Sequence, residues 1–160
     1  MTVETRPSAL VQLRSASLVQ WGLFIVCALH MPVIIAGWIA EPSFAIGTDA
    51  PTADILGMDY NGWHAAAGAL LFAPGLVLAL RKSWAVLGAL AIAMGGILPG
   101  IWALFSPQVM YVMHMPNNTR DAIVHFVTAG VLLVLVGVQA ARDGGVRALV
   151  DEVRADLRRR

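Results

Sequence analysis

The chain carries four histidines, and two of them stand in matching positions. His64 follows Asn61-Gly62-Trp63 and His125 follows Asp121-Ala122-Ile123-Val124, each just inside the start of a long apolar block. A polar stretch precedes both: Asp59 and Asn61 in one case, Asn118, Thr119 and Asp121 in the other, residues whose side-chain oxygens cap free backbone donors at a helix start. Two imidazoles at one depth in neighbouring helices have the chemistry to ligate a haem iron from opposite faces, as in a haem b site, or to share a metal ion. The simpler use is structural, with each ring bonded to Asp59, Asn61, Asp121 or a loop carbonyl, because histidines in membrane helices serve as interhelical hydrogen-bond partners. Both rings are expected to face the bundle interior, with the larger neighbours Trp63 and Phe126 turned to lipid, since a polar ring facing hydrocarbon loses its hydrogen bonds.

Further soft donors lie close by in the chain. The run Met110-Tyr111-Val112-Met113-His114-Met115 combines thioethers with an imidazole, a set that favours copper(I); it suits equally a flexible apolar lid of methionines. His30 stands one turn after Cys27, so nitrogen and sulfur share a helix face, although a lone cysteine in an apolar run is also an ordinary small core residue. The candidate metal ligands are thus His30, His114, Met110, Met113 and Met115, beside His64 and His125 as candidate cofactor ligands.

The elements that must hold these residues follow from hydropathy. Of 160 residues, 58% are hydrophobic and 13% charged, about half the charged fraction of a soluble domain (~25%), too few polar groups to cover a globular surface. The apolar residues gather into blocks near 17–40, 62–80, 84–105 and 122–141, each close to the ~20 residues that cross ~30 Å of hydrocarbon. None has the alternation of barrel strands, so the expected fold is all-α: four transmembrane helices in an up-down bundle. The expected division is a cytoplasmic segment at 1–16, the transmembrane domain at 17–141 and a tail at 142–160. The loop from Glu41 to Tyr60, punctuated by proline and glycine, is expected to be irregular.

Arg6, Arg14, Arg81, Lys82, Arg142 and Arg147 flank the blocks on one side, whereas the other two loops hold mainly Glu41, Asp49, Asp54, Asp59 and Asp121. The positive-inside rule therefore predicts a multi-pass protein of the cell membrane with both termini in the cytoplasm. Small pairs at helical spacing, Ala65 with Ala69, Ala91 with Gly95 and Gly96 with Gly100, predict close helix packing, and Pro32, Pro74 and Pro99 predict bends. After Gly144-Gly145, the stripe Val146, Leu149, Val150, Val153 and Leu157 predicts an amphipathic helix on the inner membrane surface or on a partner.

The segments Asn61-Gly62-Trp63-His64 and Asn118-Thr119-Arg120-Asp121-Ala122-Ile123-Val124-His125-Phe126 resemble the starts of the second and fourth helices in a family of small actinobacterial membrane proteins, domain of unknown function 4383. The resemblance covers about the first 140 residues. It implies a four-helix membrane fold and no established activity. The methionine-rich approach to the fourth block and the charged tail depart from the family pattern.

The net charge of +1 gives no field for nucleic acid. Among motifs, there is no phosphate-binding glycine loop, no His-Glu-x-x-His run and no cysteine pair, so hydrolysis and phosphoryl transfer are not expected. The reading taken from the sequence is a non-catalytic accessory or structural subunit, in a lipid bilayer with a membrane partner or as a homo-oligomer. The alternative is an outer-face haem- or copper-binding protein.

Overall fold

The computed structural model describes residues 16–47, 49–106, 108–109, 113–114 and 118–159. Five helices dominate: α1 (Leu18–Ala40), α2 (Gly62–Leu78), α3 (Lys82–Ala103), α4 (Thr119–Arg142) and α5 (Val146–Arg158). Three of them, α1, α3 and α4, are long and apolar enough to cross a membrane. The fourth apolar helix, α2, has 17 residues, which at 1.5 Å per residue reach about 26 Å, short of a full hydrocarbon thickness. The chain is accordingly a membrane protein by the length and composition of its helices, with α2 the shortest of its apolar rods.

The helices pack as two close pairs, α1 on α2 and α3 on α4, with α1 also touching α3 and α4. Small residues set these distances. A side-chain carbon at Gly95 would lie 2.7 Å from Leu71, and one at Gly100 would lie 3.2 Å from the His125 side chain and 3.3 Å from the Phe126 ring. At the other end of the bundle Gln20 of α1 donates to the Ala79 carbonyl that follows α2 (3.1 Å).

The loop after α1 departs from the irregular path expected of it. Strands β1 (Ala53–Ile55) and β2 (Met58–Tyr60) form an antiparallel hairpin. Leu56 and Gly57, both at positive φ (58° and 80°), make the turn, the two-residue geometry that matches strand twist. The turn lacks the usual Asn-Gly or Asp-Gly signature and is held from within and from outside: the Gly57 N–H donates to the Asp54 carboxylate (2.9 Å), Arg120 donates to the Leu56 carbonyl (2.9 Å) and Asn118 to the Gly57 carbonyl (2.9 Å). Two shorter strands, β3 (Gln108–Val109) and β4 (Met113–His114), pair between α3 and α4.

The chain leaves α4 through Gly144 and Gly145, both at positive φ (93° and 113°), a conformation that glycine adopts without strain. This reversal lays α5 back on the bundle. Of the expected apolar stripe only Leu149 and Val153 are buried, while Val146, Val150 and Leu157 stay exposed. Lys82 at the start of α3 clasps the reversal, reaching Asp143 (3.1 Å) and Glu152 (2.7 Å).

Candidate functional site

His64, Asp121 and His125 converge at the end of the bundle that carries the β1–β2 hairpin. Their positions follow from local sequence. Asn61 caps α2 by accepting from the His64 backbone N–H (3.1 Å), so His64 sits in the first turn. Asn118 caps α4 by accepting from the Asp121 backbone N–H (3.0 Å). His125 follows Asp121 by four residues, which puts both side chains on one face of α4. The first turn of a helix is also where its dipole favours a carboxylate.

The rings are fixed before any ligand arrives. His64 donates Nδ1–H to the Asp59 carbonyl (3.0 Å); a carbonyl only accepts, so the proton of the neutral ring is committed there and Nε2 carries the lone pair. Tyr60 stacks on the same ring with centroids 4.0 Å apart and planes within 4°, and Gly37 of α1 leaves room for the Tyr60 ring behind it. Burial, and next the charge at Asp121, push the Tyr60 hydroxyl up to about 12, so it stays neutral. The His64 and His125 rings lie 6.3 Å apart and nearly parallel (14°).

Asp121 lies against both imidazoles. Its two carboxylate oxygens are 3.7 Å from His64 Nε2 and 3.8 Å from His125 Nε2, with the side chain 3% exposed. The oxygen facing His125 has no hydrogen-bond partner among the described residues. One ligand atom from each of the three residues lies within 4.8 Å of the others. Two imidazoles and a carboxylate thus meet in a largely buried place, where the carboxylate charge is met by a proton on an imidazole or by a bound cation.

The distances admit more than one occupant. Contacts of 3.7 and 3.8 Å are too long for direct hydrogen bonds, and they run to the two different oxygens of Asp121. One ligand atom from each residue lies within 4.8 Å of the others. A bridging water at ~2.8 Å from each would hold them about 4.6 Å apart, and a tetrahedral ion with bonds of ~2.0–2.2 Å would draw them in to about 3.3–3.6 Å. The trio has room for one bridging water or one small cation.

The other expected ligands are placed elsewhere. His30 of α1 donates Nδ1–H to the Val26 carbonyl (2.8 Å), and its Nε2 takes the Thr128 hydroxyl (3.2 Å). With Phe72 stacked on it at 4.1 Å, it is a satisfied interhelical histidine. Cys27 is buried against Gly75 rather than directed to His30. Met113 and His114 lie in β4, and Met110 and Met115 fall outside the described residues. Trp63 does not turn to lipid: it donates to the Ala45 carbonyl (3.2 Å) and meets Phe44 edge to face. Sequence reasoning named Asp121 as a helix cap and as a hydrogen-bond partner for a histidine but not as a ligand; its four-residue spacing to His125 was the available signal.

A helical membrane protein with a buried His-Asp-His cluster at one end of its bundle is the class these features define. The model of the family described as "Domain of unknown function (DUF4383)" matches residues 15–138, and the chain belongs to that family. Searches of curated proteins and of solved structures returned no match.

Proposed function

We propose that the protein is a membrane-embedded metal-binding protein that holds one divalent transition-metal ion between His64, Asp121 and His125. The observation that carries this reading is the commitment of the His64 Nδ1 proton to the Asp59 carbonyl (3.0 Å), which turns a lone pair toward a buried carboxylate whose other oxygen has no hydrogen-bond partner among the described residues. Metal-ligating histidines are oriented in this manner, by a carbonyl on the second ring nitrogen. Two imidazoles and a carboxylate suit zinc, iron(II) and their neighbours. Copper(I) bound by Met110, Met113, His114 and Met115 would draw on other atoms. Haem is disfavoured because the Asp121 carboxylate lies against both Nε2 atoms, where a porphyrin plane would have to pass.

In this reading α2 is the fourth span, shortened because the hairpin and Tyr60 cover its outer end, and charge asymmetry places that end outside the cell. The accessory-subunit role rests on the glycine-rich helix faces and on the amphipathic helix α5.

The test is metal content. Protein purified without chelators and dialysed against zinc or cobalt should retain about one equivalent, and Asp121→Ala and His125→Ala should retain much less. Equal retention by wild type and both variants would remove the site.

A further inference from the structure

The cluster opens into a cavity of about 330 Å³ among α1–α4, whose walls, apart from Tyr60 and His30, are otherwise apolar, Val33, Leu71, Phe72, Pro99 and Val124 among them. We propose that this cavity binds a small amphipathic anion, a medium-chain carboxylate in chemical class, whose oxygen completes the coordination of the ion held by His64, Asp121 and His125. The proposal rests on the metal reading above.

Three observations select this ligand. The first is coordination: three protein donors leave at least one position open. Tyr60 and the hairpin cover the His64 ring on one side, and the cavity borders all three ligands.

The second is charge. A divalent ion with one carboxylate keeps one positive charge, which is costly among apolar walls. Asp59 offsets part of it from outside the cavity: its carboxylate accepts from Asn118 (3.3 Å) at the hairpin, and its charge acts on His64 and Asp121. Among the described residues, the cavity side of the ion faces no carboxylate but Asp121. A monoanionic head placed on the ion would neutralise the centre.

The third is shape. His64 and Phe72 both border the cavity and are eight residues apart on α2, or about 12 Å along its axis. At ~30 Å³ for a group the size of water or methylene, about 330 Å³ holds roughly ten heavy atoms. His30, toward the far end, has its acceptor filled by Thr128 (3.2 Å) and offers no second polar anchor. The pocket therefore takes one polar end and an apolar body, and its size falls at the lower edge of small-molecule sites.

The experiment uses the full chain, loaded with cobalt(II) and reconstituted into phosphatidylcholine nanodiscs, with the visible d–d absorption as readout. Octanoate should shift the spectrum saturably, acetate should need at least tenfold more, and 1-octanol should leave it unchanged. Ala67→Leu fills the cavity from a wall position one turn from His64 without replacing a ligand. It should keep the cobalt spectrum and weaken octanoate at least tenfold. A cobalt spectrum indifferent to octanoate overturns the proposal and leaves the metal site standing, as does an equal response to octanol or to acetate, or an unweakened response in Ala67→Leu. If no cobalt spectrum forms, the metal reading fails and this one with it.

Discussion

Replacing Gly75 by alanine drives a methyl group into the Cys27 sulfur. Gly75 and Cys27 are both buried where α2 crosses α1. The new carbon would overlap Sγ and would lie 3.0 Å from the Ile92 terminal methyl and 3.6 Å from that of Leu23. Leu23 is ordinary contact and Ile92 must yield a few tenths of an ångström, so Cys27 carries most of the overlap. Overpacking of a filled core costs about 1–3 kcal/mol, and a clash with a short side chain that cannot swing aside belongs in the upper half, about 2–3 kcal/mol.

Cys27→Ala alone removes one buried heavy atom. At ~24 cal/mol per Å³ the void of about 25 Å³ contributes about 0.6 kcal/mol, and lost transfer energy brings the total to roughly 1–1.5 kcal/mol. In the double variant the alanine methyl occupies the space the sulfur left. Its loss should be about 1 kcal/mol, giving a favourable coupling of about 2–3 kcal/mol. Reversible unfolding in mixed micelles, followed by far-ultraviolet circular dichroism, measures all three. Additive losses within 0.5 kcal/mol would show that the two helices do not meet at these residues, and the cavity wall built on the same crossing would lose its basis.

Two further outcomes test the ends of the bundle. Asn118→Ala should cost about 1–2 kcal/mol, because it removes the cap on α4 and the donor to the Gly57 carbonyl. Asn118→Asp should recover the cap and leave hydrogen exchange faster at the hairpin, and equal exchange in wild type and both variants would refute the clasp. At the other end, desolvation pushes the Asp143 carboxyl up, but hydrogen bonds from Gln139 and Lys82 and the Lys82 charge outweigh it, holding the group below its usual range. A depressed carboxylate stabilises the fold above its unfolded value of ~3.9 and loses that contribution as pH falls through the folded one. Protease cleavage of α5 should therefore quicken below about pH 4 in wild type, and Asp143→Asn should be cleaved faster at neutral pH with a flatter acid limb. An unchanged pH profile in the variant would remove Asp143 from the clasp.

Much of this arrangement was legible in the chain. The apolar blocks gave the helices to within a few residues, because hydropathy alone decides where a backbone must satisfy itself in lipid. Asn61 and Asn118 marked the helix starts that bring His64 and His125 to one depth. The hairpin was not legible. Its strands are three residues each, too short for a periodic signal, and the turn at Leu56 and Gly57 is held in part by Arg120 and Asn118, more than sixty positions away, which donate to its carbonyls. Trp63 misled for a related reason: an aromatic beside a polar start reads as facing lipid, and nothing local shows Phe44 and the Ala45 carbonyl folding over it. The tail stripe was read as one docking face, yet the clasp of Lys82 on Asp143 and Glu152 fixes a helix roll that buries only Leu149 and Val153.

The placement of Asp121 explains why a cluster so costly to bury stays assembled. Its backbone is held by the Asn118 cap, and that Asn118 amide also reaches Gly57 and Asp59 of the hairpin. Asp59 in turn supplies the carbonyl that orients His64. One asparagine thus ties the helix that provides two of the converging groups to the hairpin that aims the third. Neither helix could set this geometry alone, since α2 and α4 approach each other here through side chains rather than through close backbone packing. A metal ion at the centre would tie α2 directly to α4, so occupancy should stiffen the hairpin lodged between them as well as the site. Hydrogen exchange at β2 then reports on metal binding even though no β2 side chain is a ligand.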